Sequence, residues 1–476
     1  MRPAITIRRA RVRAAVVLAL SLAAGACSPD RVTNVNRPTP EAAATDPLQA
    51  LRLSATGILA ADRAAIAGYV TSTGQFGREL YNISPTESRS VTAFYQNFSD
   101  PAGQSTGGWS DRYAVLRNVW TFSDAVDRAT LLSPPQQAGA RGFARTVEAL
   151  QLLHVVTTRH NLGAVVQILP DAHTLAPFVS RDSAYRYVAA RLDSGYAYLQ
   201  AAGTTPFPFV LPTGAGVGFG GFETPAAFAT FNRALKARVE AYRASLGGRS
   251  PEEYQRVLSA LDGSFLRPLA ADRSNLKLGP QYVFGNVAGD PANGLTPSNT
   301  SLYAHPSIRD DGTVSHTDRR YVAKILPGRP LRVPAESTTP TDLGFAVYPT
   351  LTTPIPIIDN EELVLLRAEA RWFTGDPAGA LADVNLVRTI SGGLAARGAF
   401  ASESDFVTEL LDQRRLSLLL QGHRWVDVRR FGRLATLPPS GTAFALTANQ
   451  VVPQAECLAR DRTGDARLAC PAFTAE

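Results

Sequence analysis

Between Asp412 and Gly432 the chain sets charges into an apolar stripe, and that arrangement limits what it can fold into. Leu411, Leu418 and Trp425 recur seven residues apart, and Leu416, Leu419 and Leu420 thicken the stripe. This is the pattern of a helix packed on a core. Gly422 interrupts it, and a second amphipathic turn follows with Trp425, Val428 and Phe431. Arg414, Arg424, Asp427 and Arg430 sit among these residues. A buried charge without a partner is very costly, so a fold that buries this stripe must bring carboxylates to the arginines. Taken alone, the segment predicts the closing helices of a helical domain.

The N-terminus constrains location. Arg2, Arg8, Arg9, Arg11 and Arg13 precede a short apolar run, Ala14 to Ala24, which is too short to serve as a membrane span. Ala24, Gly25 and Ala26 then lead to Cys27, as in an export signal that ends in a lipoprotein box. The expected order is a lipoprotein signal peptide over 1–26, lipidation at Cys27 and a tether over 27–46. Acyl chains anchor at about 0.8 kcal/mol per buried methylene. Ser28, where Asp would favour inner-membrane retention, points to the outer membrane. The competing reading is an ordinary secretory signal with an incidental cysteine. No later segment is apolar enough to span a bilayer, so the expected membrane attachment is the lipid anchor alone.

The formal charge of +7 falls to +2 without the five signal arginines. Lys236, Lys277 and Lys324 are the only lysines. No basic run with interleaved aromatics supports nucleic-acid binding. The other two cysteines, Cys457 and Cys470, are candidates for a disulfide in an oxidising compartment, where it would contribute about 3 kcal/mol; two free thiols in a frayed tail is the alternative.

The hydropathy pattern predicts helices over about 47–68, 109–131, 136–162, 180–200, 223–246 and 251–262. Asp46 followed by Pro47 is a start signal for the first. Residues 69–108 read as less regular, with exposed aromatics at Tyr69, Phe76, Tyr81, Phe94, Tyr95 and Phe98. From 263 to 355 helical periodicity is lost, and runs 281–284 and 320–326 read as short strands or extended loops. So long an irregular segment in a compact domain implies a function. Helices return at 359–373, 377–389, 403–421 and 424–432, with Gly375, Asp376 and Pro377 forming a tight turn. Tightly joined helix pairs build solenoids. The expected fold is mostly α, a tetratricopeptide-like helical-hairpin scaffold with a long loop-rich insert. It is expected to be one domain over 47–476: a helical part to 262, a loop-rich ligand-side segment over 263–355 and a second helical part from 356.

The ordered set of segments resembles the SusD/RagB family of nutrient-binding outer-membrane lipoproteins. The resemblance rests on Cys27, on Trp109 to Asn118, on Gly142 to Leu150 and on Phe231 to Arg238. It continues through Ile355 to Ala370 with Glu362 and Glu369, Gly375 to Arg388, Asp412 to Gly432, and Val452 to Gln454. It therefore runs from Cys27 to the C-terminus. Glu362, Glu369, Arg414, Gly422, Arg424, Trp425, Asp427 and Arg430 form its structural motif. Where the family usually has Glu along the C-terminal helix, this chain has Gln413, Ser417 and Gln421. Arg414, Arg424 and Arg430 must then find other acids, with Asp427, Glu362 and Glu369 as candidates.

The resemblance implies a surface-exposed, lipid-anchored protein that captures an oligosaccharide or peptide and delivers it to a SusC-like TonB-dependent transporter. It implies ligand contacts from loops after the first helices and from the irregular segment, on one face. Tyr81, Tyr95, Asn97, Tyr282, Tyr303 and Arg309 are the candidate ligand residues. The four tryptophans, Trp109, Trp120, Trp372 and Trp425, fall on or beside helices and read as core.

Other chemistries find little support. Gly216 to Gly221 matches a GxGxxG pattern but follows Pro-broken sequence, without a surrounding βαβ unit. His305, Asp310, Asp311, His316 and Asp318 cluster, yet their spacing matches no ligand set, so neither metal nor cofactor is expected. Neither GxSxG nor HExxH occurs, and Glu362 and Glu369 on a packed helix suit ion pairing better than paired-carboxylate catalysis. The chain is therefore not expected to be an enzyme. The rival readings are a helical protein–protein adaptor and, less favoured, a surface hydrolase.

Overall fold

The structure is a computed structural model. It describes residues 46–171, 173–214, 217–266, 273–285, 289–334, 339–438 and 445–475. The signal peptide, Cys27 and all of the tether except Asp46 lie outside the described residues.

Helix α1 (Pro47–Phe76) starts as expected: the Asp46 carboxylate accepts the Gln49 N–H and Pro47 opens the first turn. It runs two turns further than its hydropathy pattern suggests. Strand β1 (Leu80–Asn82) and helix α2 (Arg89–Tyr95) follow. Next come α3 (Ser110–Arg128), α4 (Pro134–Arg159) and α5 (Arg181–Ala202), then the small ribbon of β2 (Thr213–Gly214) with β3 (Val217–Gly218). Helices α6 (Pro225–Leu246) and α7 (Pro251–Asp262) complete the first helical part. Ser133 and Ser250 each make a full capping box, with Gln136 and Glu253 as the reciprocal partners.

The loop-rich segment contains α8 (Arg273–Leu276), β4 (Gln281–Tyr282), β5 (Leu302–Ala304), α9 (Ser307–Asp310), α10 (Arg319–Lys324), β6 (Ile325–Leu326), β7 (Gly344–Phe345) and β8 (Ile355–Pro356). The 320–326 run is thus mostly a short helix. Asp318 caps it through the Arg320 N–H, and the Arg320 guanidinium closes back on the same carboxylate. The chain then forms α11 (Asn360–Phe373), α12 (Pro377–Ile390), α13 (Glu403–Ser417), α14 (Arg424–Arg430) and α15 (Gln454–Asp461). Among the described residues no helix is long and apolar enough to cross a membrane.

The long helices pack in sequence: α1 on α3, α3 on α4, α4 on α5, α5 on α6 and α6 on α7. Helix α7 then packs on α11, and α11 on α12. The solenoid therefore continues past the loop-rich segment, which leaves it as an excursion. One core runs from Leu51 to Val452, and a smaller cluster gathers Phe76, Tyr81, Phe94, Tyr95, Tyr303 and Trp425. The α11–α12 corner depends on Asp376, whose carboxylate accepts the Gly379 N–H at 2.8 Å. We expect Asp376→Ala to cost about 1 kcal/mol, read as a shift in denaturation midpoint; an unchanged midpoint would show that the cap contributes nothing.

Helix α13 ends at Ser417, short of Gln421. Leu420 has φ +57° and Gly422 φ +81°. A Cβ on Gly422 would sit 2.5 Å from Cε1 of Tyr69, so the break lies where α1 approaches closely. Cys457 and Cys470, with Cα atoms 5.4 Å apart, form a disulfide at the C-terminus.

Candidate functional site

The charged residues of the closing helices are buried and paired. Arg414 donates to Asp427 at 2.7 Å, and Arg430 donates to Asp427 at 2.9 Å and to Glu369 at 2.5 and 2.8 Å. Glu362 goes instead to Arg238 of α6, at 2.7 and 2.6 Å, with the His423 ring 3.7 Å away. Those two partners are 124 residues apart in sequence, and nothing local pairs them. Arg424 reaches the Gly77 carbonyl at 3.1 Å. Burial foremost lowers its pKa to about 9, while Glu79, Asp311 and Asp412 pull the other way. Trp425 is fully buried, stacked on Phe76 at 4.6 Å between centroids and donating to the Thr447 carbonyl.

Gln413 and Ser417 act as neutral relays. Gln413 donates to Glu409 and accepts from Arg320; Ser417 donates to Glu361 and accepts from Arg320. Arg415 reaches across to Asp311 at 2.5 Å, Thr313 at 2.9 Å and Ser307 at 3.0 Å. Lys324 caps the C-terminal end of α13 by donating to the Leu416 and Ser417 carbonyls. Its burial lowers the amine's pKa to about 7. The closing helices therefore pin the loop-rich segment to the scaffold.

That segment is brought to the loop after α1 by strand pairing. β1 and β5 are antiparallel, with Leu80 opposite Ala304, Tyr81 opposite Tyr303 and Asn82 opposite Leu302. Ala304 also donates to the Leu343 carbonyl, and Arg329 binds the Leu302 and Thr300 carbonyls with its guanidinium 4.0 Å over the Tyr303 ring. Three loops, after β1, before β5 and between β6 and β7, thus converge. Arg309 stands half-buried on α9, bound to Asp310 and Asp342 at 2.8 Å each. Nearby, the exposed His316 ring stacks on Tyr321 at 4.9 Å between centroids, and its Nε2 lies 2.9 Å from the Arg309 carbonyl. Val322, Leu331 and Val333 of the same segment are 66%, 67% and 58% exposed.

The tyrosines are a correction. Tyr81, Tyr95, Tyr282 and Tyr303 are all buried, and so are Tyr69, Phe76, Phe94 and Phe98. The added turns of α1 and the folding of α2 against β1 enclose all of these except Tyr282. Tyr95 donates to the Leu80 carbonyl, and Tyr282 to Asp62, which also holds Arg112. Tyr81, Tyr95 and Tyr303 offer no open face to a ligand, whereas Tyr282 borders a concavity of about 290 Å³ together with Arg63, Phe219 and Gln281. Asn97 is exposed in the turn after α2. Among the described residues, no group of three or more His, Cys, Asp or Glu is placed to hold a metal. Asp310, Asp311 and Asp318 are each engaged by an arginine. His316 stands out in the sequence only as a member of the His/Asp loop cluster, and Tyr321 only as part of the 320–326 run; their ring stacking has no sequence signal.

Residues 351–463 match the model of the SusD family. By this stretch the chain is similar to the SusD family. Its fold agrees across almost the whole length. NanU of B. fragilis superposes with a TM-score of 0.63 at 13% identity, covering 94% of this chain and 100% of its own. A SusD superfamily protein from Bacteroides vulgatus ATCC 8482 gives 0.64 at 12% identity, covering 90% and 99%. Surface glycan-binding protein A from Bacteroides fluxus gives 0.62 at 16% identity, covering 90% and 99%. No curated protein sequence matches the chain.

Proposed function

We propose that this SusD-like chain is a lipid-anchored outer-membrane protein that captures an oligomeric nutrient, a glycan in the first instance, and hands it to a SusC-like TonB-dependent barrel. The observation that carries the reading is the convergence of three loops around the β1–β5 pair, held on a rigid helical body by Arg415, Arg320 and Lys324. Arg309, His316 and Tyr321 give this face hydrogen-bonding groups and a stacked ring pair. Exposed Val322, Leu331 and Val333 give it an apolar surface on which a partner barrel can dock. The names of two structural relatives, a surface glycan-binding protein and a laminarin-binding SusD-like protein, favour a glycan over a peptide. Anchoring falls to Cys27. Capture and delivery require no bond to be made or broken.

The test is affinity purification of the full chain from its native outer membrane, alongside glycan binding by the purified protein. A large barrel is expected to co-purify, and Arg309→Ala with His316→Ala should weaken glycan binding at least tenfold while leaving the melting temperature within a few degrees. Repeated failure to recover a barrel would sink the transporter role. A barrel recovered without any soluble ligand would instead support the adaptor reading.

A further inference from the structure

The concavity of about 290 Å³ beside Tyr282 lies halfway along α1. It is lined by Leu59 and Ala60 of α1, by Leu211 and Phe219 on either side of the β2–β3 ribbon, by Tyr282 of β4 and by Ile357. About 20 Å of helix separates Arg63, at its edge, from Phe76 at the end of α1 and the convergent loops beyond. Its walls are tied together. Arg52 donates to the Pro208 carbonyl at 3.0 Å, and the Phe219 N–H donates to the Pro212 carbonyl at 2.9 Å. Arg63 donates to the Val283 carbonyl at 2.8 Å. Val210, which borders the opening, is 82% exposed.

Arg63 is the only charged residue of the lining, and Asp290 answers it with an ion pair. The space therefore suits an uncharged ligand. Its remaining polar capacity is small and specific. Strand pairing opposite Pro356 holds Gln281 at the pocket. Among the described residues the Gln281 carboxamide makes no hydrogen bond, and its Oε1 is buried. Arg63 Nε is buried without a partner as well. Buried polar side-chain atoms in native proteins are nearly all hydrogen-bonded, so a free carboxamide among apolar residues marks a place where a partner belongs.

The chemistry of the lining selects a ligand class. A carboxamide offers an acceptor and a donor side by side, and another amide group matches both at once. A water molecule is a poorer partner, because Leu, Phe and Ile walls give it few further hydrogen bonds. A sugar oligomer is the wrong occupant: its many hydroxyls would leave water for an apolar lining and gain little in return. Apolar enclosures with a few placed polar groups are the common form of small-molecule sites, and such pockets begin at about 300 Å³. We infer that this pocket is a binding site for a compact, uncharged, mainly apolar molecule that carries one amide group. Its apolar body covers Leu59, Leu211 and Phe219, while its amide carbonyl and N–H meet the Gln281 carboxamide. The site is separate from the loop-rich face and does not depend on what that face binds.

The experiment is photolabelling of the full chain with 4-benzoylbenzamide, a neutral diaryl ketone bearing one carboxamide, followed by mapping of the labelled residues by mass spectrometry. Labels are expected on α1 between 53 and 63, on 208–219 and on 281–283. Excess 1-naphthaleneacetamide should suppress them at least fivefold. 1-Naphthaleneacetic acid, the same ring with a carboxylate in place of the amide, should compete at least tenfold less well. Ala60→Phe fills the space from a half-buried position on α1, and should cut labelling at least tenfold with the melting temperature within a few degrees. Gln281→Leu keeps the apolar volume and removes the carboxamide, and should weaken competition by the amide threefold or more. Absence of labelling, labels gathered on Val322, Leu331 and Val333 instead, or labelling of the pocket that survives Ala60→Phe would each overturn the site. A pocket that takes the acid as well as the amide, or that is indifferent to Gln281→Leu, would overturn the ligand class.

Discussion

Replacing Arg430 with alanine is expected to destabilise the protein by about 3–5 kcal/mol, the cost of breaking a buried ion pair on one side. Arg430 lies between Glu369 and Asp427, and Asp427 also holds Arg414; side-chain exposure along this row is 4% or less. The row is neutral as a whole, two carboxylates against two guanidinium groups. Without Arg430, Glu369 keeps only the Tyr254 hydroxyl at 3.0 Å among its hydrogen bonds. An isolated buried carboxylate takes up a proton, so the loss should be larger at pH 8 than at pH 5. Urea denaturation midpoints at both pH values read this directly. The pair Glu369→Gln with Arg430→Met, which removes both charges, should recover much of the loss, because burying ions is itself expensive. A single variant as stable as the unmodified chain would show that the row is not an integral ion-pair network. Arg424 gives a useful contrast: it donates to a carbonyl and sits near Glu79, Asp311 and Asp412 without a close ion pair. Arg424→Ala should lower the melting temperature and leave glycan binding intact. The opposite outcome, an unchanged melting temperature with binding lost, would place function in the closing helices.

What the sequence makes legible here is what local physics decides. Ser250, Pro251 and Glu253 announce α7, which spans 251–262 as expected. Asp46 with Pro47, and Asp376 with Pro377, do the same for α1 and α12. The end of α1 was hidden because Gly74 and Gly77 look like turn residues. Both are set by contact instead: a Cβ on Gly74 would lie 2.8 Å from Leu80 Cδ2, and one on Gly77 would lie 2.9 Å from the Trp425 nitrogen. Tyr81 and Tyr303 looked like ligand platforms because a tyrosine in a loop suits either burial or exposure. Their burial depends on a three-residue strand pairing across more than two hundred residues, which no local pattern encodes. The acids that would answer the closing arginines were partly legible: Asp427 and Glu369 were within reach of the pattern, whereas Glu362 was taken by Arg238.

Glu79→Gln should stabilise the protein at pH 8 and leave it nearly unchanged at pH 5. Glu79 follows α1, is 2% exposed, and has a buried Oε2 without a hydrogen bond. Burial foremost raises its pKa to about 7, against the opposing pull of Arg424 and Arg415. In the unfolded chain the carboxyl ionises near its ordinary value of 4.5. Between these two values the folded state holds the proton that the unfolded state has released. Stability therefore falls as pH rises from about 4.5 to about 7, and levels off above that. At about 1.4 kcal/mol per pKa unit, the full window amounts to about 3 kcal/mol. Asp412, also pushed up to about 7 by burial, acts in the same direction. Lys324, lowered to about 7, acts above that: its folded form binds fewer protons than its unfolded form up to about 10.5, so stability rises there. His154 and His305, buried and held neutral, raise stability with pH on the acid side. The profile of the unmodified chain sums all of these, but the difference between it and Glu79→Gln isolates one group. Paired thermal melts at pH 5 and pH 8 measure that difference. If it is the same at both, Glu79 is ionised throughout in the folded protein, and the nearby arginines outweigh the cost of burying its charge.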